Sequence, residues 1–323
     1  MKSDERRGPG STRSLILVLT VILITGMSCG CTTHELGSSH NETIQVITTI
    51  LPLSEFVTSV GGQYVTCRVM IPPGASPHTF EMTPGQMQLI SDADLYVMVG
   101  SGIEFEDQWM ERLQEINPGM KIINASAGLT FLPGSDDHEH EHNQGYDNAT
   151  IPFPDENGRH DPHVWLSLTN AITMVNEISS GLSKADPSHA SFYEGNRDIY
   201  TSRMQYIDQQ IKEMMTNTTV SAVMVTHPSF QYFCRDYGIR QISIEEDGKE
   251  PTPGHLKDLV QTARENDIRV IFAEPEYSDA GAQAVAKEIG AKIIQVDPLP
   301  EKYLQNMNLI AEAFSGNNDV SVK

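Results

Sequence analysis

Short runs rich in Val and Ile, separated by longer amphipathic stretches, constrain this chain most. They fall at Ile44–Leu51, Tyr64–Ile71, Leu95–Gly100 and Met120–Asn124, then again at Val220–Thr226, Ile239–Ile244, Ile268–Ala273 and Ala291–Val296. Apolar runs of this length read as strands buried on both faces, and helical stretches between successive strands are what a parallel sheet requires. Two strand sets in a chain of 323 residues predict an α/β protein of two lobes. Between them, Phe192, Ile199, Met204, Ile207 and Ile211 recur at near-helical spacing, with no Pro after Pro187 and no Gly after Gly195. That predicts a long rigid helix over 187–216, joining an N-terminal lobe (44–186) to a C-terminal lobe (217–323).

The remaining segments bound where such a chain works. Lys2, Arg6, Arg7 and Arg13 precede an apolar run from Leu15 to Ile24, followed at once by small residues and two cysteines, Cys29 and Cys31. The run is shorter than the ~20 residues a membrane span needs and has the shape of an export signal. Gly30-Cys31 resembles a lipoprotein processing site, so residues 1–31 are expected to be a signal, Cys31 the lipidated residue and 32–43 a tether. The rivals are Cys29 and an uncleaved signal anchor; all three readings place the folded part outside the membrane. Cys67 and Cys234 fall in different lobes and are expected to be free thiols. A net charge of -21 disfavours nucleic acid as a partner. From Pro133 to Arg159 the composition turns to Gly, Asp, Asn, Glu, His and Pro, which predicts a mobile loop.

Three histidines stand in unusual settings: His78 in PPGASPHTFEMTP, His163 in HDPHVWLSL and His227 in VMVTHPSFQYF. Each alone reads more readily as an ordinary turn residue beside proline. His78 follows the second strand after a Pro/Gly turn, His227 follows the fifth directly, and Asp297 ends the eighth in the same way. Ligands of open α/β sheets bind beyond the carboxyl ends of strands. Three imidazoles and one carboxylate gathered there would make a tetrahedral site suited to zinc. Metal retention would then fall as protons compete near pH ~6.5.

Taken together and in order, these segments resemble the metal-ligand segments of the zinc and manganese solute-binding proteins of ABC importers, the cluster A-I or ZnuA-like family. PPGASPHTFEMTP, DPHVWLSL and HPSFQYFCRDYGI match the first three, and EEDGKEPTPGHL, IFAEPEY and VDPL match the C-lobe segments. The resemblance implies two four-stranded α/β lobes joined by a rigid helix, with the metal in the cleft between them. Carried over, His78 and His163 come from the N-lobe, and His227 and Asp297 from the C-lobe. Manganese-type members tend to have a carboxylate at the third position, so His227 points to Zn(II) as the transported ligand, with Mn(II) the alternative. Glu81 rivals Asp297 for the fourth position, and water is the third contender. Glu274 and Glu276 are expected behind the ligands, and Asp161 is expected to cap or orient the His163 loop. His138, His140 and His142 alternate with acidic residues in the mobile loop and resemble a secondary zinc-collecting segment that His160 could join. The implied partners are an ABC permease and its ATPase at the extracytoplasmic face of the membrane. A zinc hydrolase and a surface adhesin are the competing functions, but the sequence carries no strong general-base motif beside the histidines.

Overall fold

In each half of the chain the first and third strands take the central places in the sheet. Ala222–Val225 is buried throughout, as is Ile271–Ala273 beside it. The N-terminal half runs β1 (Ile44–Thr48), α1 (Leu51–Gly61), β2 (Val65–Val69), α2 (Pro84–Ser91), β3 (Leu95–Met98), α3 (Glu104–Ile116) and β4 (Lys121–Asn124). Two helices follow, α4 (Leu168–Ala185) and α5 (Ala190–Thr216). The C-terminal half repeats the pattern with β5 (Ala222–Val225), α6 (Gln231–Tyr237), β6 (Arg240–Ser243), α7 (Pro253–Glu265), β7 (Val270–Ala273), α8 (Ala280–Ile289), β8 (Lys292–Gln295) and α9 (Tyr303–Phe314). Both sheets are parallel and four-stranded, with the same order, β2-β1-β3-β4 and β6-β5-β7-β8. This is the two-lobed α/β architecture expected, and each strand lies inside the run that predicted it.

The computed structural model describes residues 43–134, 160–245 and 249–316, all within one unit that begins at Asn41. The expected signal, the lipidation site Cys31, nearly all of the tether and the histidines at 138, 140 and 142 lie outside the described residues. The ends of the expected loop are held together by an antiparallel bridge between Pro133 and His160. No helix among the described residues is long and apolar enough to cross a membrane. Cys67 and Cys234 are free thiols.

At 27 residues α5 is about 40 Å long. Its buried residues are Tyr193, Tyr200, Met204, Ile211 and Met215, which alternate at seven- and four-residue spacing to form one stripe. Phe192 and Ile199, which suggested the helix, are 38% and 57% exposed. The tyrosines one position later take the buried face because their hydroxyls have partners there: Tyr193 donates to Asp186 and Tyr200 to Glu55. The α4 helix starts with Ser167, whose hydroxyl accepts from the Asn170 amide, and crosses β4 so closely that a Cβ at Gly181 would collide with Ile123.

One hydrophobic cluster runs from Val46 in the first strand to Phe314 in the last helix, so the facing layers of the two lobes share a core. A second cluster, with Met224, Ile244, Leu259 and Val285, covers the other side of the C-terminal sheet. Hydrogen bonds cross the lobes beside the shared core. Tyr232 donates to the Asp161 carbonyl at 2.9 Å and accepts from the Leu132 amide at 2.9 Å. Trp165 donates to the Pro298 carbonyl at 2.7 Å, and Tyr303 to the Trp165 carbonyl at 2.7 Å.

Candidate metal site

His78 and His227 sit where a strand has ended and the chain must turn, and His163 sits in the turn that opens α4. His78 lies in the segment between β2 and α2, where its amide donates to Ser76 Oγ at 3.3 Å. His163 precedes a short 3-10 turn (Val164–Leu166) that leads into α4, and its amide donates to Asp161 Oδ1 at 2.8 Å. His227 comes two residues after β5, and its amide donates to Glu274 Oε1 at 3.2 Å. These turns bring the three side chains together. One nitrogen from each lies within 4.8 Å of the others, and His78 Nε2 is 3.2 Å from His163 Nε2.

The outward-facing nitrogens explain that convergence. Every Nδ1 has its own carboxylate: Glu104 for His78 at 2.5 Å, Asp161 for His163 at 2.8 Å, and Glu245 for His227 at 2.6 Å. A carboxylate on Nδ1 fixes the ring's orientation and its tautomer, leaving Nε2 as the free lone pair. His227 Nε2 is buried with no hydrogen-bond partner, an arrangement that is unfavourable unless something else occupies the nitrogen.

Electrostatics favour neutral rings at His163 and His227. Burial, reinforced by the neighbouring His78, holds His163 well below the ordinary imidazole range. Burial brings His227 down to about 4, against the opposing pull of Glu245. Protons therefore compete for these two nitrogens at lower pH than the ~6.5 expected of exposed imidazole. Burial pushes Asp161 up to about 8, partly offset by its bond from the His163 amide, so at neutral pH the Asp161–His163 pair holds a proton that a cation would expel. Burial also raises Glu104, but the hydrogen bond and charge of His78 outweigh it and leave the group below the usual carboxylate range.

The other expected residues are not among the three that converge. Asp297 is half-buried and accepts the Leu299 amide on Oδ1 at 2.7 Å; burial raises its pKa. Glu81 is exposed, and His160 is exposed against Phe131. Glu274 is 2% exposed and accepts from Ser229 Oγ at 2.5 Å as well as from the His227 amide, so it braces the turn beneath the ring. Glu276 is half-buried, with burial and then Asp297 raising it to about 7.

Glu104 and Glu245 went unread in the sequence. Glu245 comes two residues after the end of β6, and Glu104 opens α3 just beyond β3, so the strand-end rule that singled out His78 and His227 also covers the carboxylates of those two rings.

Three imidazole nitrogens close enough to share one cation thus converge from the two halves of the chain, and comparison with known proteins gives the chain a family. The profile described as "Zinc-uptake complex component A periplasmic", ZnuA, matches residues 46–316. The chain belongs to the ZnuA family. That is a family of solute-binding proteins, and the two-lobed fold of this ZnuA-family chain agrees with its solved members. A crystal structure of ZnuA superimposes with a TM-score of 0.76 at 31% identity, over 84% of this chain and 98% of that one. The high-affinity zinc uptake system protein ZnuA of Bacillus subtilis is 28% identical over 86% of this chain and 85% of its own length. A putative metal-binding protein of Treponema pallidum is 29% identical over 91% of each chain.

Proposed function

We propose that this chain captures Zn(II) outside the cytoplasm and hands it to the permease of an ABC importer, which the partner ATPase drives. The observation that carries the reading is the convergence of His78, His163 and His227 with every Nδ1 bound to a carboxylate. Neutral imidazoles are borderline ligands that suit Zn(II), whereas a Mn(II) site gains from carboxylates in direct contact. Here the carboxylates stand one shell back. Asp297 is the candidate for the fourth position: its Oδ1 is engaged, and among the described residues Oδ2 accepts no hydrogen bond. His138, His140 and His142 would form a weaker, secondary set. Cys31 is proposed to carry the lipid that keeps the protein at the outer face of the membrane.

Binding without turnover fits the site better than hydrolysis. A hydrolytic zinc needs a base aimed at its water, and the nearest carboxylates are already committed to Nδ1 atoms. The test is calorimetric titration of the chelator-stripped chain with Zn(II) and Mn(II). One tight zinc site per chain is expected, weakened by several orders of magnitude in His78→Ala, His163→Ala and His227→Ala. Asp297→Ala is expected to weaken it less, by about 10–1000-fold, set against the 10–100-fold that outer-shell partners give. Unchanged isotherms in all three histidine variants would reject the site, and turnover of ester or amide substrates would reject the carrier reading.

A further inference from the structure

Tyr277 holds a place that the ligand set does not account for. It follows β7 in a tight turn, with its amide donating to the Glu274 carbonyl at 3.2 Å. Its ring lies flat on His227, the centroids 4.1 Å apart and the planes 13° from parallel. Its hydroxyl accepts from Ser76 Oγ at 3.4 Å, and that same oxygen accepts the His78 amide. One C-lobe side chain therefore touches the segments of two histidines that come from opposite lobes. It is not placed as a ligand, because its ring presents a face to the imidazole and its hydroxyl is turned to Ser76.

We propose that Tyr277 is a positioning residue that closes one face of the histidine cluster and sets the rate at which zinc leaves. The proposal rests on the reading that the cluster holds zinc. Glu245 fixes His227 at Nδ1, but a single hydrogen bond leaves the imidazole free to tilt about it. Tyr277 removes that freedom by covering one face of the ring and excluding water from it. Zinc departs only when Nε2 turns away, and the stacked ring must yield for that to happen. A void of about 120 Å³, bordered by Glu245, Ile244, Pro251 and Gly281, lies beside Tyr277, so the ring can yield sideways without displacing the sheet. Capture passes the same barrier in reverse, so the stack slows both steps. The 3.4 Å contact to Ser76 is at the limit of a hydrogen bond, so the ring rather than the hydroxyl carries the effect.

The experiment is stopped-flow release of zinc into excess chelator from the loaded parent and from Tyr277→Phe, Tyr277→Leu and Tyr277→Ala, with association rates measured alongside. A stacked aromatic pair corresponds to a factor of about two to twelve. Leu and Ala are expected to release zinc faster by that factor and to take it up faster as well, while Phe restores the parent rates. The Co(II) absorption spectrum should stay that of the parent in all three, since no ligand is lost. Leucine keeps the apolar volume, so it answers the question even if the alanine variant fails to fold. Release from Tyr277→Leu as slow as from the parent, or from Tyr277→Phe as fast as from Tyr277→Leu, would overturn the proposal. A parent that takes up no zinc would instead reject the reading of the site beneath it, and this proposal with it.

Discussion

At the residue scale, each imidazole of the proposed site is gripped from behind by a carboxylate on Nδ1. Glu245 orients His227, and removing it leaves a buried ring held by its stacking on Tyr277 alone. Glu245→Ala should therefore lower zinc affinity by about 10–100-fold, as losses of outer-shell partners do, while the metal-free fold persists. Calorimetry would read the first effect and circular dichroism the second; unchanged affinity would mean that the carboxylate is incidental. Proton traffic follows from the same burial. His227, brought down to about 4, is already neutral at pH 7, whereas Asp161, pushed up to about 8, keeps a proton there. Zinc binding at pH 7 should expel about one proton, and Asp161→Asn should abolish the release. Titrations in buffers of different ionisation enthalpy measure that number, and zero for the parent would contradict it. Because the His227 pKa is depressed in the fold, its contribution to stability is complete above about pH 6.5 and is lost as pH falls toward 4.

At the scale of elements, closeness between α4 and β4 positions the stretch that begins at His163. Glycine is required where α4 passes Ile123, and Gly181→Ala should destabilise the protein by about 1–3 kcal/mol through overpacking. Denaturant unfolding would give the value, and a variant as stable as the parent would show that the helix can shift away. Much of this scale was legible beforehand. Val and Ile runs marked every strand, and the uninterrupted stretch after Pro187 marked α5. The choice between Phe192 and Tyr193 as the buried residue was not legible, because it depends on Asp186 reaching the tyrosine hydroxyl. Likewise, His78 and His227 could be singled out from their strand-end positions and His163 from the resemblance of its segment, but Glu104 could not be assigned to His78 because 26 residues and a whole strand separate them. Pairings of that kind depend on three-dimensional register, which spacing in one dimension does not encode.

At the scale of the whole molecule, the two lobes are less separate than their two sheets imply. Trp165, Tyr232 and Tyr303 place buried hydrogen bonds across the junction, and one apolar cluster continues through it. The His163 loop, although it belongs to the N-terminal half, is thereby fastened to the C-terminal half that carries His227. Metal-free protein should unfold in a single calorimetric transition, and two resolved transitions would show independent lobes. The central claim, that three histidines from both halves hold one zinc ion, is tested most directly by a crystal structure of the zinc-loaded chain with anomalous data at the zinc edge. The account predicts a single strong peak bonded to Nε2 of His78, His163 and His227 at about 2.0–2.1 Å. A peak held by carboxylates elsewhere, or by fewer than these three nitrogens, would contradict it.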